Sequence, residues 1–223
     1  PNNGSRFYFK YKTVPTQSYD ANLLTLDGRL YKSLSNGISL LFRNFGGHTW
    51  GDDRQNFYLG SSPSLYNSNP NATEYYNNYY EYGEYSNTLM FFNFSEHVTP
   101  IRGIPFMYKN GDNVALFNFE LRAPFLLYYF PAIKWLGQIN GILFMDMGVT
   151  WDNTSKFPDI TKYDNWIDRE NNNNTHGWVM SYGWGPRFIL LGLPFQVNYA
   201  WQYNPLTGVS SNRRYEITIG LDL

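Results

Sequence analysis

Large apolar and polar side chains alternate along this chain with a period of two, and the pattern recurs from one end to the other. That period belongs to β-strands, because successive side chains of a strand point to opposite faces. In SRFYFKYKT, Phe7, Phe9 and Tyr11 alternate with Arg6, Tyr8, Lys10 and Lys12; in NLLTLDGRLY, Leu24, Leu26 and Leu30 alternate with Thr25, Asp27 and Arg29. GISLLFRNF sets Ile38, Leu40 and Phe42 against Ser39, Leu41 and Arg43. VALFNFELRA places Ala115, Phe117, Phe119 and Leu121 opposite Asn118, Glu120 and Arg122. VMSYGWGPRFIL opposes Tyr182, Trp184 and Phe188 to Ser181, Gly183, Gly185 and Arg187, and FQVNYAWQY opposes Tyr199, Trp201 and Tyr203 to Asn198, Ala200 and Gln202. YEITIGLDL closes the series, with Tyr215, Ile217, Ile219, Leu221 and Leu223 on one face and Glu216, Thr218, Gly220 and Asp222 on the other.

A soluble antiparallel sandwich with one wet face also gives this alternation. Three features favour a transmembrane β-barrel. Each alternating run covers about nine to eleven residues, the length that crosses a bilayer at a tilt. Tyr and Trp recur near strand ends, where interfacial girdles sit. Short links such as LSNG (34–37) and LGLP (191–194) alternate with long ones such as 51–100 and 152–177, the layout of outer-membrane barrels. The tract YNSNPNATEYYNNYYEYGEYSNT and the run ENNNNT read as solvent-exposed polar loops.

Composition narrows the function classes. Aromatic residues make up 20% of the 223 residues while charged residues make up only 16%, and the mean hydropathy is −0.46. Such a mix suits either a membrane barrel or a sugar-binding sandwich that uses Tyr and Trp as stacking platforms. A net charge of −1 offers no basic excess for nucleic acid. The absence of cysteine removes disulfides, thiol nucleophiles and thiolate metal sites. The apolar run PFLLYYFPAIKWL is too short for a transmembrane helix and is broken by Pro131 and Lys134. PNNGSRF carries neither an initiator Met nor a signal peptide, so the chain reads as a piece of a longer polypeptide.

One residue interrupts this logic. In LFMDMGVTWDNT, Asp146 stands among Leu143, Phe144, Met145, Met147 and Val149. A carboxylate buried between two apolar layers is costly. Alternation turns it opposite to Leu143, Met145 and Met147, toward whatever the polar faces line.

At these residues the chain resembles the BamA/TamA-type bacterial surface-antigen barrel of outer-membrane assembly proteins. The resemblance is carried, in the family's order, by NFYLGSS (56–62), IRGIPF (101–106), NVALFNFELRAPF (113–125), ILFMDMGVTWD (142–152), SYGWGPRFILLGLPFQVNYAW (181–201) and RRYEITIGLDL (213–223). Ser61 stands where a second glycine is usual, and Ile104 where an aromatic follows Arg-Gly.

The resemblance implies that residues 1–223 form one outer-membrane domain, the C-terminal half (~8 strands) of a 16-stranded all-β antiparallel barrel. Its N-terminal strands and any periplasmic domain would lie outside this sequence, and the loop 51–112 would fold inward. It further implies that Arg102, at the loop tip with Gly103, pairs with Glu120 and Asp146 on the lumen wall. Asn118, Arg122 and Arg187 would face the lumen. Phe117, Phe119, Tyr182, Trp184, Tyr199 and Trp201 would face lipid. Tyr215, Ile217, Ile219, Leu221 and Leu223 would form one side of a weakly paired seam whose partner strand is not in this sequence.

The expected role is non-enzymatic: assisting the insertion, assembly or translocation of proteins at the bacterial outer membrane. Its partners would be outer-membrane lipid, client outer-membrane proteins and periplasmic or lipoprotein accessory subunits, with no nucleic acid, cofactor or metal. His48, His97 and His176 are too scattered for a metal site. A paired-carboxylate hydrolase using Glu120 and Asp146 is conceivable by residue type, but Arg122 beside them favours an ion pair. Two other readings stay open: a passive barrel anchoring a periplasmic propeller or peptide-binding repeats, and the soluble sugar-binding sandwich. The Arg102 contact, too, either takes part in transport or only stiffens a plug.

Overall fold

The computed structural model describes residues 3–16, 19–35, 37–61, 66–67, 96–98, 100–104, 108–133, 139–160, 177–210 and 214–219. The alternating stretches become long strands: β1 (Gly4–Thr16), β2 (Tyr19–Ser35), β3 (Ile38–Trp50), β8 (Asn113–Ala123), β9 (Asn140–Trp151), β10 (Val179–Leu190), β11 (Leu193–Asn204) and the shorter β13 (Arg214–Ile219). They run antiparallel in the order β1-β2-β3-β8-β9-β10-β11-β13. Most exceed the length read from the sequence; β2 reaches 17 residues. Pairing continues past the alternating core because the flanking residues also find cross-strand partners, as Gly4 does with Tyr31 and Thr16 with Tyr19.

Alternate connections fall on opposite ends of the sheet. On one end lie the β2–β3 link and the β10–β11 link, where Leu191 (φ 53°) and Gly192 (φ 79°) both take left-handed backbone. Two such residues give the turn whose twist matches a tight hairpin. The same end carries the longer 124–139 link, which holds a short helix α1 (Phe125–Tyr129). The 51–112 and 152–178 links leave the strands at the other end. No helix among the described residues is long and apolar enough to cross a membrane.

Over its described residues the 51–112 link lies against the inner face of the sheet. It holds β4 (Phe57–Leu59), β5 (Tyr66–Asn67), β6 (Glu96–Val98) and β7 (Lys109–Gly111), and β6, β4 and β7 form a small sheet. Phe57, Leu59, Val98, Ile101, Ile104 and Tyr108 pack with Leu23, Val114, Leu116 and Val179 of the main sheet into one apolar cluster. These apolar residues punctuate a polar segment, and burying them draws it onto the sheet. Most of the Tyr/Asn-rich tract and all of ENNNNT lie outside the described residues.

The last strand also meets a short strand of the 51–112 link. Its outer edge is not left without a partner in this chain, because β5 pairs with β13 antiparallel, Tyr66 with Ile217 and Asn67 with Glu216. A short strand, β12 (Val209–Ser210), pairs with the end of β11. β1 and β13 are not paired with each other, so the described sheet is open rather than closed into a barrel.

Burial is inverted relative to a solvated sheet. The face toward the 51–112 segment, the inner face, buries Thr25, Asp27, Arg43, Asn118, Glu120, Asp146, Ser181, Asn198, Gln202 and Glu216. The outer face exposes Phe7, Leu26, Leu30, Phe42, Phe117, Phe119, Leu143, Met145, Tyr182 and Trp184. A sheet in water places its apolar side chains in the core and its charges outside.

Candidate functional site

The site is built where the 51–112 segment touches the inner face of β8–β13. The segment's stems are tied first. Arg54 donates from Nε to Asp112 Oδ1 at 2.7 Å, and Asp53 N donates to the Asp20 carbonyl at 3.0 Å. Arg54 is held in its charged form by that Asp112 contact, which raises its pKa above the ordinary value. Further in, Ile101 N donates to the Gly60 carbonyl at 2.8 Å, setting the tip residues beside Leu59. The wall leaves space for them: a Cβ at Gly148 would lie 2.6 Å from Ile101 Cδ1.

Arg102 is 2% exposed. Its backbone N–H donates to Asp146 Oδ2 at 3.0 Å, its Nε to the same oxygen at 2.7 Å, and its Nη2 to Asp146 Oδ1 at 2.6 Å. Nη1 donates to Glu120 Oε1. The guanidinium carbon lies 3.9 Å from the centroid of the Phe144 ring, within cation–π range. Burial by itself would pull the Arg102 pKa down, but the Asp146 and Glu120 carboxylates outweigh it and hold the pKa above its ordinary value.

The wall residues make further contacts in turn, although Asn118 Oδ1 and Arg187 Nη2 are buried without a hydrogen-bond partner. Asn118 Nδ2 donates to Asp146 Oδ1 and to the Pro100 carbonyl, both at 2.8 Å, so Asp146 accepts four hydrogen bonds in all. Four is about the capacity of a carboxylate. Glu120 also accepts from Arg122, Nε at 2.8 Å and Nη2 at 2.7 Å, and Arg187 Nη2 lies 3.9 Å from its Oε1. Arg187 Nη1 donates to Asn198 Oδ1 at 3.1 Å.

Gly103 sits at φ +79°, and a Cβ there would lie 2.5 Å from Ala200 Cβ. Both the left-handed backbone and the contact with β11 require glycine at this point. Its N–H donates to Glu216 Oε1 at 2.8 Å, which ties the tip to β13.

Arg102, Gly103, Glu120, Asp146, Asn118, Arg122 and Arg187 thus meet in one cluster on the inner face. Three further members, Glu216, Phe144 and Ala200, do not stand out in the sequence. Their signal is there: each occupies the inward phase of its strand, and in β9 Phe144 shares that phase with Asp146. Phe117, Phe119, Tyr182 and Trp184 lie exposed on the outer face. Tyr199 and Trp201 share that face but are half-covered by ring stacking, Trp184 on Tyr199 at 4.6 Å and Tyr182 on Trp201 at 5.7 Å. Tyr215, Ile217 and Ile219 follow on β13, whereas Gly220, Leu221 and Leu223 lie outside the described residues.

Chemically, the cluster fixes positions. A carboxylate whose acceptor sites are filled by a guanidinium and two N–H groups has no lone pair left to take a proton from water. Among the described residues no group of three His, Cys, Asp or Glu is arranged to hold a metal. His48 instead stacks on Trp50 and meets Asn113 Oδ1 at 2.6 Å, and His176 lies outside the described residues. No protein-family model matches the chain, and no curated protein is significantly similar to it in sequence.

Proposed function

We propose that this chain is part of an outer-membrane β-barrel of the surface-antigen type, which assists the insertion, assembly or translocation of proteins at the bacterial outer membrane. The observation that carries the reading is the inverted sheet: exposed aromatic and aliphatic side chains on the outer face, buried charged and amide side chains on the inner one. In a bilayer the outer face would meet acyl chains and the inner face a polar lumen. The remaining strands of a 16-stranded barrel (about eight) would continue the sheet from its open edges.

The Arg102 cluster supports the family assignment, since an Arg-Gly loop tip seated on wall carboxylates is what the sequence resemblance implies. The role is mechanical rather than catalytic. Its partners are lipid, client outer-membrane proteins and accessory subunits. The test is reconstitution: vesicles carrying the whole protein should speed the folding of an unfolded outer-membrane barrel relative to empty vesicles. Membrane insertion without any acceleration would contradict the assembly role.

The second reading, a passive barrel that anchors a periplasmic domain, is favoured by one feature. Asp146 is saturated by Arg102 of the tip together with Asn118 of the wall, so the loop tip is held in a fixed position. Insertion without acceleration is the result that this reading expects.

A further inference from the structure

The β10–β11 hairpin outruns its neighbour. The last β9–β10 pair is Asn140 with Arg187, whereas β10 goes on pairing with β11 as far as Leu190 with Leu193. Three residues of β10 therefore project past the β9 pairing, about 10 Å at the usual strand rise. On this projection the alternation that governs the rest of the sheet stops. Arg187 holds the inward phase where β9 ends, but Ile189, next in that phase, is apolar and 69% exposed. Leu190, in the outward phase, is exposed as well. A strand that is apolar in both phases suits apolar surroundings on both sides.

The turn repeats the signal. Left-handed backbone favours Gly, Asn or Asp, and a turn standing in water favours the same residues. Leu191 nevertheless holds φ 53° with 94% of its surface exposed. Leucine is unfavourable there on both counts unless its side chain leaves water.

The 124–133 segment, at the same end, has matching chemistry. PFLLYYFPAI contains no charged residue. A Cβ at Gly141 would run into the Phe125 ring, and Gly141 shares the outward phase of β9 with Leu143 and Met145. Ala123, the partner of Gly141 on β8, is buried there. The segment thus turns onto the outer face and extends it, with Tyr129, Phe130 and Ile133 exposed.

We propose that the β10–β11 turn and the 124–133 segment form a lip inserted into the lipid leaflet at the short-link end. Continuity with the apolar outer face is the first argument for lipid. Absence of charge is the second: residues 188–195 carry none either, whereas a protein interface is edged by a polar rim. The amphipathic ring of Tyr129 suits the headgroup level. The proposal rests on the outer-face reading above and goes beyond it, because turns ordinarily run in water.

The test places an environment-sensitive nitrobenzoxadiazole dye on Leu191→Cys and, separately, on Tyr129→Cys, in the whole protein reconstituted into phosphatidylcholine vesicles. This chain has no cysteine of its own. Lys156→Cys, exposed on the long 152–178 link, is the aqueous reference, and Trp184→Cys is the outer-face reference. Both lip labels should emit to the blue of the Lys156→Cys label. They should also be quenched several-fold more by acyl-brominated lipid, and several-fold less by aqueous iodide, than that reference. Ile133→Cys gives the same reading should Tyr129→Cys disturb the segment. Strong iodide quenching of the lip labels, with the Trp184→Cys label still quenched by lipid, would overturn this inference alone. Shielding from both quenchers would overturn it in favour of contact with a second copy of the protein. Loss of lipid quenching at Trp184→Cys would strike the proposed function itself.

Discussion

Glu120 and Asp146 are completely buried on the inner face of β8 and β9, whereas Tyr8, on the same face of β1, is 53% exposed. Both regions belong to one sheet with one alternation and a continuous outer face. The difference follows the described residues of the 51–112 segment, which pack on β8–β13 and reach Leu23 of β2. A single-layer sheet has no core of its own, and its inner face becomes an interior only where something lies on it. The charged cluster around Arg102 is therefore a property of the segment and the wall together.

The contrast can be broken from the covered side. Arg102→Ala would leave Glu120 and Asp146 buried without their shared cation, at a cost of about 3–5 kcal/mol. Urea unfolding in detergent, followed by tryptophan fluorescence, should show that loss, together with faster proteolysis within 51–112. Gly103→Ala introduces a Cβ against Ala200 and a left-handed alanine, and should cost about 1–3 kcal/mol in the same assay. Asp27→Asn acts on β2, away from the Arg102 cluster, where Asp27 accepts from both Arg29 and Arg43. It leaves Arg29 and Arg43 facing each other across a neutral amide, and a loss of roughly 1–2 kcal/mol is expected. If Asp27→Asn proved as damaging as Arg102→Ala, the seated loop tip would not be the stronger of the two charged clusters. The smallest effect concerns the sheet edge. The chain has no cysteine, so Tyr66→Cys with Ile217→Cys can be oxidised without competitors. The β5–β13 register predicts a ready disulfide there and none between Tyr66→Cys and Val197→Cys, one strand further in.

The strand set and the facing of its side chains were legible because a period of two leaves each residue only one choice of side. Asp146 is the clearest case: its inward direction follows from Met145 and Met147 alone. Its contact with Arg102 does not follow from periodicity, since the two lie 44 residues apart and on different elements. That pairing was readable only through the resemblance of IRGIPF and ILFMDMGVTWD to a family. Glu216 and Phe144 escaped because an inward position says nothing about which inward residue the tip will reach. The buried small sheet of 51–112 escaped for another reason. Its apolar residues, such as Phe57, Leu59, Val98 and Ile101, are too few and too widely spaced to show a period, and composition was dominated by the Tyr/Asn tract between them.

The central claim is that the outer face meets lipid. Nitroxide labels at Phe117→Cys and Trp184→Cys, in the whole protein reconstituted into vesicles, report it most directly. The account predicts that relaxation of both labels responds strongly to oxygen, which partitions into the bilayer, and weakly to a water-soluble paramagnetic complex. A stronger response to the water-soluble complex at both positions would contradict it.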